Sequence, residues 1–200
     1  MTFGLDRRWR RRAARELRGK ALDVACGTGD MCVELMKRGC DVTGVDISGE
    51  MLSIARQKTA SANLQTGDAE ALPFADNAFD AVTCAFGIRN FEHLEQGLGE
   101  MVRVLKPDGK MVILELATPD SVIIRPFYNI YTKHIIPWLG SRIAGSRDAY
   151  TYLPTSIRRF PKGVAMLEIL DRCGAHANQR KFFFGVCRMY TCSKKVNTNN

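Results

Sequence analysis

The sequence predicts an α/β fold with a largely parallel sheet, on three observations. Short apolar segments alternate with helical windows from Lys20 to Leu116, the order that builds parallel sheets through right-handed crossovers. One segment, Phe79–Ala85 (FDAVTCA), is dominated by apolar residues, as expected of a strand covered on both faces. The first segment runs into Gly27-Thr28-Gly29 directly before a helical window, which reads as a strand, a tight turn and a helix start.

The elements follow in order. Lys20–Ala25 (KALDVA) is the first strand. Asp30–Arg38 carries Met31, Val33, Leu35 and Met36 in a helical window, and Gly39 closes it as a C-cap. Asp41–Asp46 is the second strand. Ser48 stands as an N-cap ahead of Glu50, Met51, Leu52, Ile54 and Ala55. Asn63–Thr66 is a weak third strand and Phe79–Ala85 the fourth. Glu92–Leu105 repeats Leu94, Leu98, Met101, Val102 and Leu105 at helical spacing. Pro107–Gly109 is a turn, and Lys110–Leu116 is the fifth strand. After Pro119 the texture changes. Arg125–Gly145 is rich in Phe127, Tyr128, Tyr131, His134, Trp138 and Leu139 and reads as a helix interrupted near Pro137. Tyr150–Phe160 and Lys162–Cys173 also read as helical, and Phe182–Cys192 returns to strand character. There is no internal repeat, low-complexity tract or linker, so residues 1–200 are expected to form a single domain. Residues 1–19 would be a basic helix and 120–173 a helical insert covering a substrate, with plain core packing an even alternative.

Composition narrows the classes. Apolar residues make up 46% and charged residues 25% of the 200-residue chain, which excludes a disordered or collagen-like polypeptide. No run reaches the ~18 apolar residues of a membrane span. Seven cysteines at 26, 32, 40, 84, 173, 187 and 192 contain no C-x-x-C. They read as reduced, mostly buried thiols, with neither a disulfide frame nor a metal site. The net charge is +8, and the first 20 residues carry eight basic side chains against Asp6 and Glu16. The remaining body is nearly neutral, which argues against a nucleic-acid surface across the fold. Trp9, Ala13 and Leu17 lie four apart, so the arginine stretch reads as a solvated helix docked by one stripe, with contact to phosphate as the other reading.

The chemistry sits at strand ends. In Leu22-Asp23-Val24-Ala25-Cys26-Gly27-Thr28-Gly29-Asp30 the third glycine of G-x-G-x-x-G falls at Cys32, so the dinucleotide fingerprint is broken and a phosphate-free nucleoside fits better. Asp46 ends the second strand, 17 residues past Gly29, where an acid takes both ribose hydroxyls. Gly67-Asp68-Ala69-Glu70 follows the third strand and offers an acceptor to an adenine amino group. Three such positions at successive strand ends point to the ligand edge of an open sheet.

LDVACGTGD, GVDIS, GDAEALPFADNAFDAVTCAFGIRN and RVLKPDGKMVILELATP together resemble a class I S-adenosylmethionine-dependent methyltransferase. FGIRN, VLKPDG and YTYLPTSIRRFP are more narrowly similar to the MenG/UbiE quinone-ring C-methyltransferases of menaquinone and ubiquinone biosynthesis. The resemblance implies a Rossmann-like, seven-stranded, mostly parallel sheet with helices on both faces and a helical insert after strand five. It implies S-adenosylmethionine as cofactor, a polyprenyl quinol as substrate and no nucleic-acid partner. It places Thr28 against the methionine part, Asp46 on the ribose and Asp68 and Ala69 beside the adenine. Ala25, Gly27, Gly29 and Ile47 complete the cofactor set. At Ala85 related chains can present a serine, where alanine offers backbone only. Arg89 and Asn90 would lie at the mouth of the methyl-transfer site and hold a water or the developing phenolate, and Tyr150 and Tyr152 would line the ring pocket. The ending FFFGVCRMYTCSK looks nearer the menaquinone branch.

The reduced, mostly buried thiols point to a cytoplasmic protein. Peripheral contact at the inner membrane face, through Phe127–Leu139 and the arginine helix, and a homodimer are left open. Family members usually start earlier, with a K-Y-D-x-x-N stretch folding over the cofactor, and Met1-Thr2-Phe3-Gly4 aligns with the middle of that lead-in. Other readings stay open: a methyltransferase acting on another small phenol or on RNA, and a non-catalytic cofactor-binding subunit.

Overall fold

The computed structural model describes residues 4–121, 125–126, 128, 156–157 and 160–195. Most of the expected insert, with Tyr150 and Tyr152, lies outside the described residues. The elements run α1 (Leu5–Ala14), β1 (Lys20–Val24), α2 (Asp30–Met36), β2 (Asp41–Asp46), α3 (Gly49–Lys58), β3 (Asn63–Thr66), β4 (Phe79–Ala85), a 3-10 turn (Ile88–Asn90), α4 (Leu94–Val104) and β5 (Leu105–Leu116). A last helix, here α5 (Val164–Arg172), precedes β6 (Ala175–Phe182) and β7 (Cys187–Lys194).

Seven strands form one sheet in the order β3-β2-β1-β4-β5-β7-β6. The first five are parallel, and β7 is antiparallel to both β5 and β6. Side chains alternate across the sheet, as the period of two demands. Leu22, Val82, Met111 and Ile113 face a core that α4 and α5 complete with Leu98, Met101, Met166 and Leu170. Ala21, Ala81, Val112 and Leu114 face the other core, with Trp9, Ala13, Met31, Leu35 and Leu52 from α1, α2 and α3. The Trp9–Ala13–Leu17 stripe is buried, so α1 is a docked helix whose arginines face outward or along its flanks. All seven cysteines are free thiols, and six are buried.

Two expectations need correction. Phe182–Cys192 is not one strand. β6 ends at Phe182, a 3-10 turn spans Phe183–Gly185, and β7 starts at Cys187. Phe183 and Phe184 adopt positive φ values of 44° and 55°, which phenylalanine rarely does, so no residue ahead of Gly185 advertises the turn. The fifth strand starts at Leu105 rather than Lys110. The Pro107–Gly109 turn survives as an irregularity: Phe79 pairs with Leu105, but Ala81 pairs with Lys110.

Candidate active site

The site is built where β1, β2, β3 and β4 end. β1 stops at Val24, and Ala25 turns with a φ of 52°. Gly29 (φ 79°) starts α2 where a Cβ would stand 3.0 Å from the Ala55 Cβ, so glycine lets α2 approach α3. Asp46 closes β2, and its carboxylate is aimed by backbone alone. Gly27 N–H donates to Oδ2 at 2.8 Å and Ser48 N–H to Oδ1 at 2.9 Å. Each oxygen keeps a lone pair for a further donor. Ser48 also caps α3, accepting from Met51 N–H at 3.3 Å, which is the predicted N-cap.

Two adjoining cavities flank this carboxylate. The first, about 350 Å³, is lined by Ala25, Gly27, Thr28, Asp46 and Ala85 together with Arg10, Asp23, Met31, Phe86, Gly87 and Asn90. The second, about 280 Å³, is lined by Ala25, Asp46, Ile47, Asp68, Ala69, Glu70, Asn90 and Phe91. Ala25, Asp46, Gly87 and Asn90 belong to both. A larger open depression of about 680 Å³ between α5 and β6 touches none of these residues.

The structure thus brings together eight of the nine expected cofactor residues and Asn90. Gly29 lines neither cavity; its part is the packing of α2 on α3. Arg89 lines neither as well. Its Nη1 donates to Glu115 Oε1 at 2.5 Å and to the Phe86 carbonyl at 2.7 Å, and its N–H points to Glu115 Oε2 at 3.3 Å. Glu115 is 2% exposed. Burial raises its pKa, and the Arg89 charge opposes that rise. The guanidinium therefore lies beneath the loop that presents Asn90, not free at the mouth. Gly87 is needed there, because a Cβ would stand 2.8 Å from both the Ala25 Cβ and the Cys84 Sγ.

Sequence reading missed Asp23, Arg10, Ser48, Met51 and Phe86 as lining residues. Asp23 had a signal, an acid inside an apolar strand. It is 1% exposed, accepts the Cys32 thiol at 3.2 Å through Oδ2, and has no partner on Oδ1. Burial pushes its pKa up to about 7, against the lowering effect of the Cys32 hydrogen bond. Arg10 had none, being one arginine among many. It pairs with Asp6 at 2.7 Å and lies 4.9 Å from the Phe86 ring centroid. His93 is outside the cavities, with Nδ1 2.8 Å from Glu70 Oε2. That hydrogen bond raises the pKa of this exposed imidazole.

Among the described residues the lining carries Asp23, Asp30, Asp46, Asp68, Glu70 and Glu92 against one cation, Arg10. Such a wall suits a cationic or hydroxyl-bearing ligand and repels a pyrophosphate.

The model of the ubiE/COQ5 methyltransferase family matches residues 1–194. The chain belongs to that family. Among its relatives, the demethylmenaquinone methyltransferase of Bacteroides fragilis is 43% identical over 97% of this chain and 84% of its own length. The enzyme of that name from Deinococcus radiodurans is 40% identical over 98% and 85%. The ubiquinone/menaquinone biosynthesis C-methyltransferase UbiE of Geotalea daltonii is 39% identical over 97% and 88%. Similar solved structures include an S-adenosylmethionine-dependent methyltransferase of Thermotoga maritima, with a TM-score of 0.68 at 20% identity over 96% of this chain and 93% of that one. The [4+2]-cyclase SpnF has a TM-score of 0.71 at 19% identity over 96% and 82%. A methyltransferase and a cyclase on one scaffold show that the fold alone does not fix the reaction. The cleft of this ubiE/COQ5 family member fits adenosylmethionine: the Asp46 carboxylate has room for two hydroxyls, Gly27 leaves open space where a Cβ would project, and the acids match a sulfonium and an ammonium.

Proposed function

We propose that the chain methylates a ring carbon of a demethylated quinol, of the menaquinone or ubiquinone type, using S-adenosylmethionine. The observation that carries this reading is the acid-walled double cavity on Asp46, in a chain 43% identical to a demethylmenaquinone methyltransferase. Asp46 takes the ribose hydroxyls, Asp68 and Ala69 flank the adenine under the exposed Ile47, and Thr28 and Asp23 face the methionine part. The cofactor supplies a methyl already activated on a sulfonium.

The remaining work falls to the protein. An aromatic carbon attacks poorly until the neighbouring hydroxyl loses its proton, and the ring must then shed a second proton. Asn90, shared by both cavities, is the side chain placed to hold the phenolate oxygen or its water. Arg89 is a positioning residue: by tying the Phe86 carbonyl to Glu115 it fixes the loop that carries Asn90. Tyr150 and Tyr152 are assigned to the quinol-ring pocket on the family resemblance alone. The test is transfer of labelled methyl from adenosylmethionine to demethylmenaquinol, with the product identified by mass. Label on a ring carbon is expected. Cofactor binding without transfer to any demethylquinol would overturn the reading.

A further inference from the structure

The turn between β6 and β7 carries the largest aromatic exposure among the described residues. Phe183 is 58% and Phe184 63% exposed, and their rings stack edge-on with centroids 5.7 Å apart. Both have left-handed backbones, a conformation that costs energy for a bulky residue and persists only where the surroundings enforce it. The enforcement is visible. Val186 N–H donates to the Phe183 carbonyl at 3.1 Å and Ala117 N–H to the Val186 carbonyl at 2.9 Å. Gly185 sits against Asp120, whose carboxylate pairs with Lys181 at 2.7 Å and Arg188 at 2.5 Å.

Direction places this turn. β6 is antiparallel to β7 and β7 to β5, so β6 ends at the same rim as the strands that build the cleft. Positive charge outnumbers negative around it. Lys181 and Arg188 pair with the Asp120 carboxylate, Arg125 donates to its main-chain carbonyl and Lys162 bonds Thr118 close by, and exposed Arg180 lies three residues before the rings. The chain runs from Arg10 against Phe86 at this rim, down α1 and past its end to Glu16 near Lys110, six residues before β5 ends, which puts exposed Arg7 and Arg8 at the rim too.

We propose that Phe183 and Phe184 form a rigid wedge that inserts into the interface of an anionic lipid bilayer beside the mouth of the cleft, with Arg180 and the α1 arginines Arg7 and Arg8 on the headgroups. Two stacked rings held out on a clamped turn bury apolar surface without an ordering cost, and the exposed Arg180, Arg7 and Arg8 add attraction to acidic lipid. The inference deepens the quinol reading, because a polyprenyl tail resides in a bilayer and the ring must enter from it.

The test is co-sedimentation of the full chain with phosphatidylcholine vesicles and with phosphatidylcholine–phosphatidylglycerol vesicles, at low and high salt. Wild type is expected to bind the anionic vesicles and to weaken with salt. Phe183→Ser/Phe184→Ser should lower partitioning roughly thirtyfold or more, and Arg180→Glu about tenfold. Both variants should titrate with adenosylmethionine as wild type does, which establishes that they fold. No binding of wild type to anionic vesicles at low salt, or equal binding by the serine variant, overturns the proposal. A serine variant that instead changes oligomeric state or proteolysis within 122–159, with no vesicle binding by wild type, also overturns it and gives the rings a protein partner. Vesicle binding without quinol turnover would leave the wedge standing and the quinol reading refuted. Turnover of a tail-less demethylquinol without vesicle binding would do the reverse.

Discussion

The two halves of the sheet's ligand rim hold their charges differently. On the β1–β2–β3 half, backbone N–H groups aim Asp46, and Asp23 keeps an oxygen with no partner. On the β4–β5–β7 half, side chains neutralise one another: Arg89 with Glu115, and Arg188 and Lys181 with Asp120. The first half is preorganised with spare acceptor capacity, which is what a bound ligand needs. The second is an ion-paired frame that fixes loop geometry. A charged residue beside a strand end is therefore not by that fact a ligand-touching residue, and Arg89 is the instance.

The largest expected effect breaks the frame. Arg89→Ala leaves Glu115 buried without its cation, a loss of about 3–5 kcal/mol in chemical denaturation. The loss should be greater at pH 8 than at pH 5, because the isolated carboxyl can then stay neutral only at low pH. Arg89→Ala/Glu115→Gln should recover most of the stability. That double variant no longer ties the Phe86 carbonyl, so its turnover should stay low although its stability returns; full turnover would contradict the positioning role.

On the ligand half the sign is opposite to that of an ordinary paired carboxylate. Asp23 has a folded pKa of about 7, above that of the unfolded chain, so the folded state holds the extra proton. Its contribution is present below pH ~4 and is lost as pH rises to 7. Asp23→Asn should remove this dependence and make the apoprotein more stable at pH 8 by up to about 4 kcal/mol, with little change at pH 4. A variant as pH-sensitive as wild type would contradict the assignment. Smaller again is Gly87→Ala, where the added Cβ meets Ala25 and Cys84 at 2.8 Å. It should cost about 1–3 kcal/mol and disturb both cavities at once. The smallest effect belongs to His93, exposed and hydrogen-bonded to Glu70. Its pKa is raised, so its small stabilisation holds below pH ~6.5 and fades as pH climbs through the folded value. His93→Ala should flatten that slope and leave turnover intact.

The same contrast explains what could be read from sequence. Glycine turns, strand-end acids and helix caps are local, so Gly27, Asp46, Ser48 and all five parallel strands were legible. Arg89 and Asn90 were legible as a pair at the right strand end, but their division of labour was not. It depends on Glu115, 26 residues away and buried only by the fold. The Phe183–Gly185 turn escaped because three consecutive phenylalanines look like strand, and only tertiary clamping at Asp120 forces the bend.

The account rests on the Asp46 cleft gripping an adenosyl sulfonium, and isothermal titration with adenosylmethionine tests it most directly. Wild type should bind one equivalent, and Asp46→Ala should weaken binding on the order of a hundredfold, two charge-assisted hydrogen bonds being lost, with folding unchanged. Binding by Asp46→Ala as tight as by wild type, or no heat from folded wild type, would contradict it.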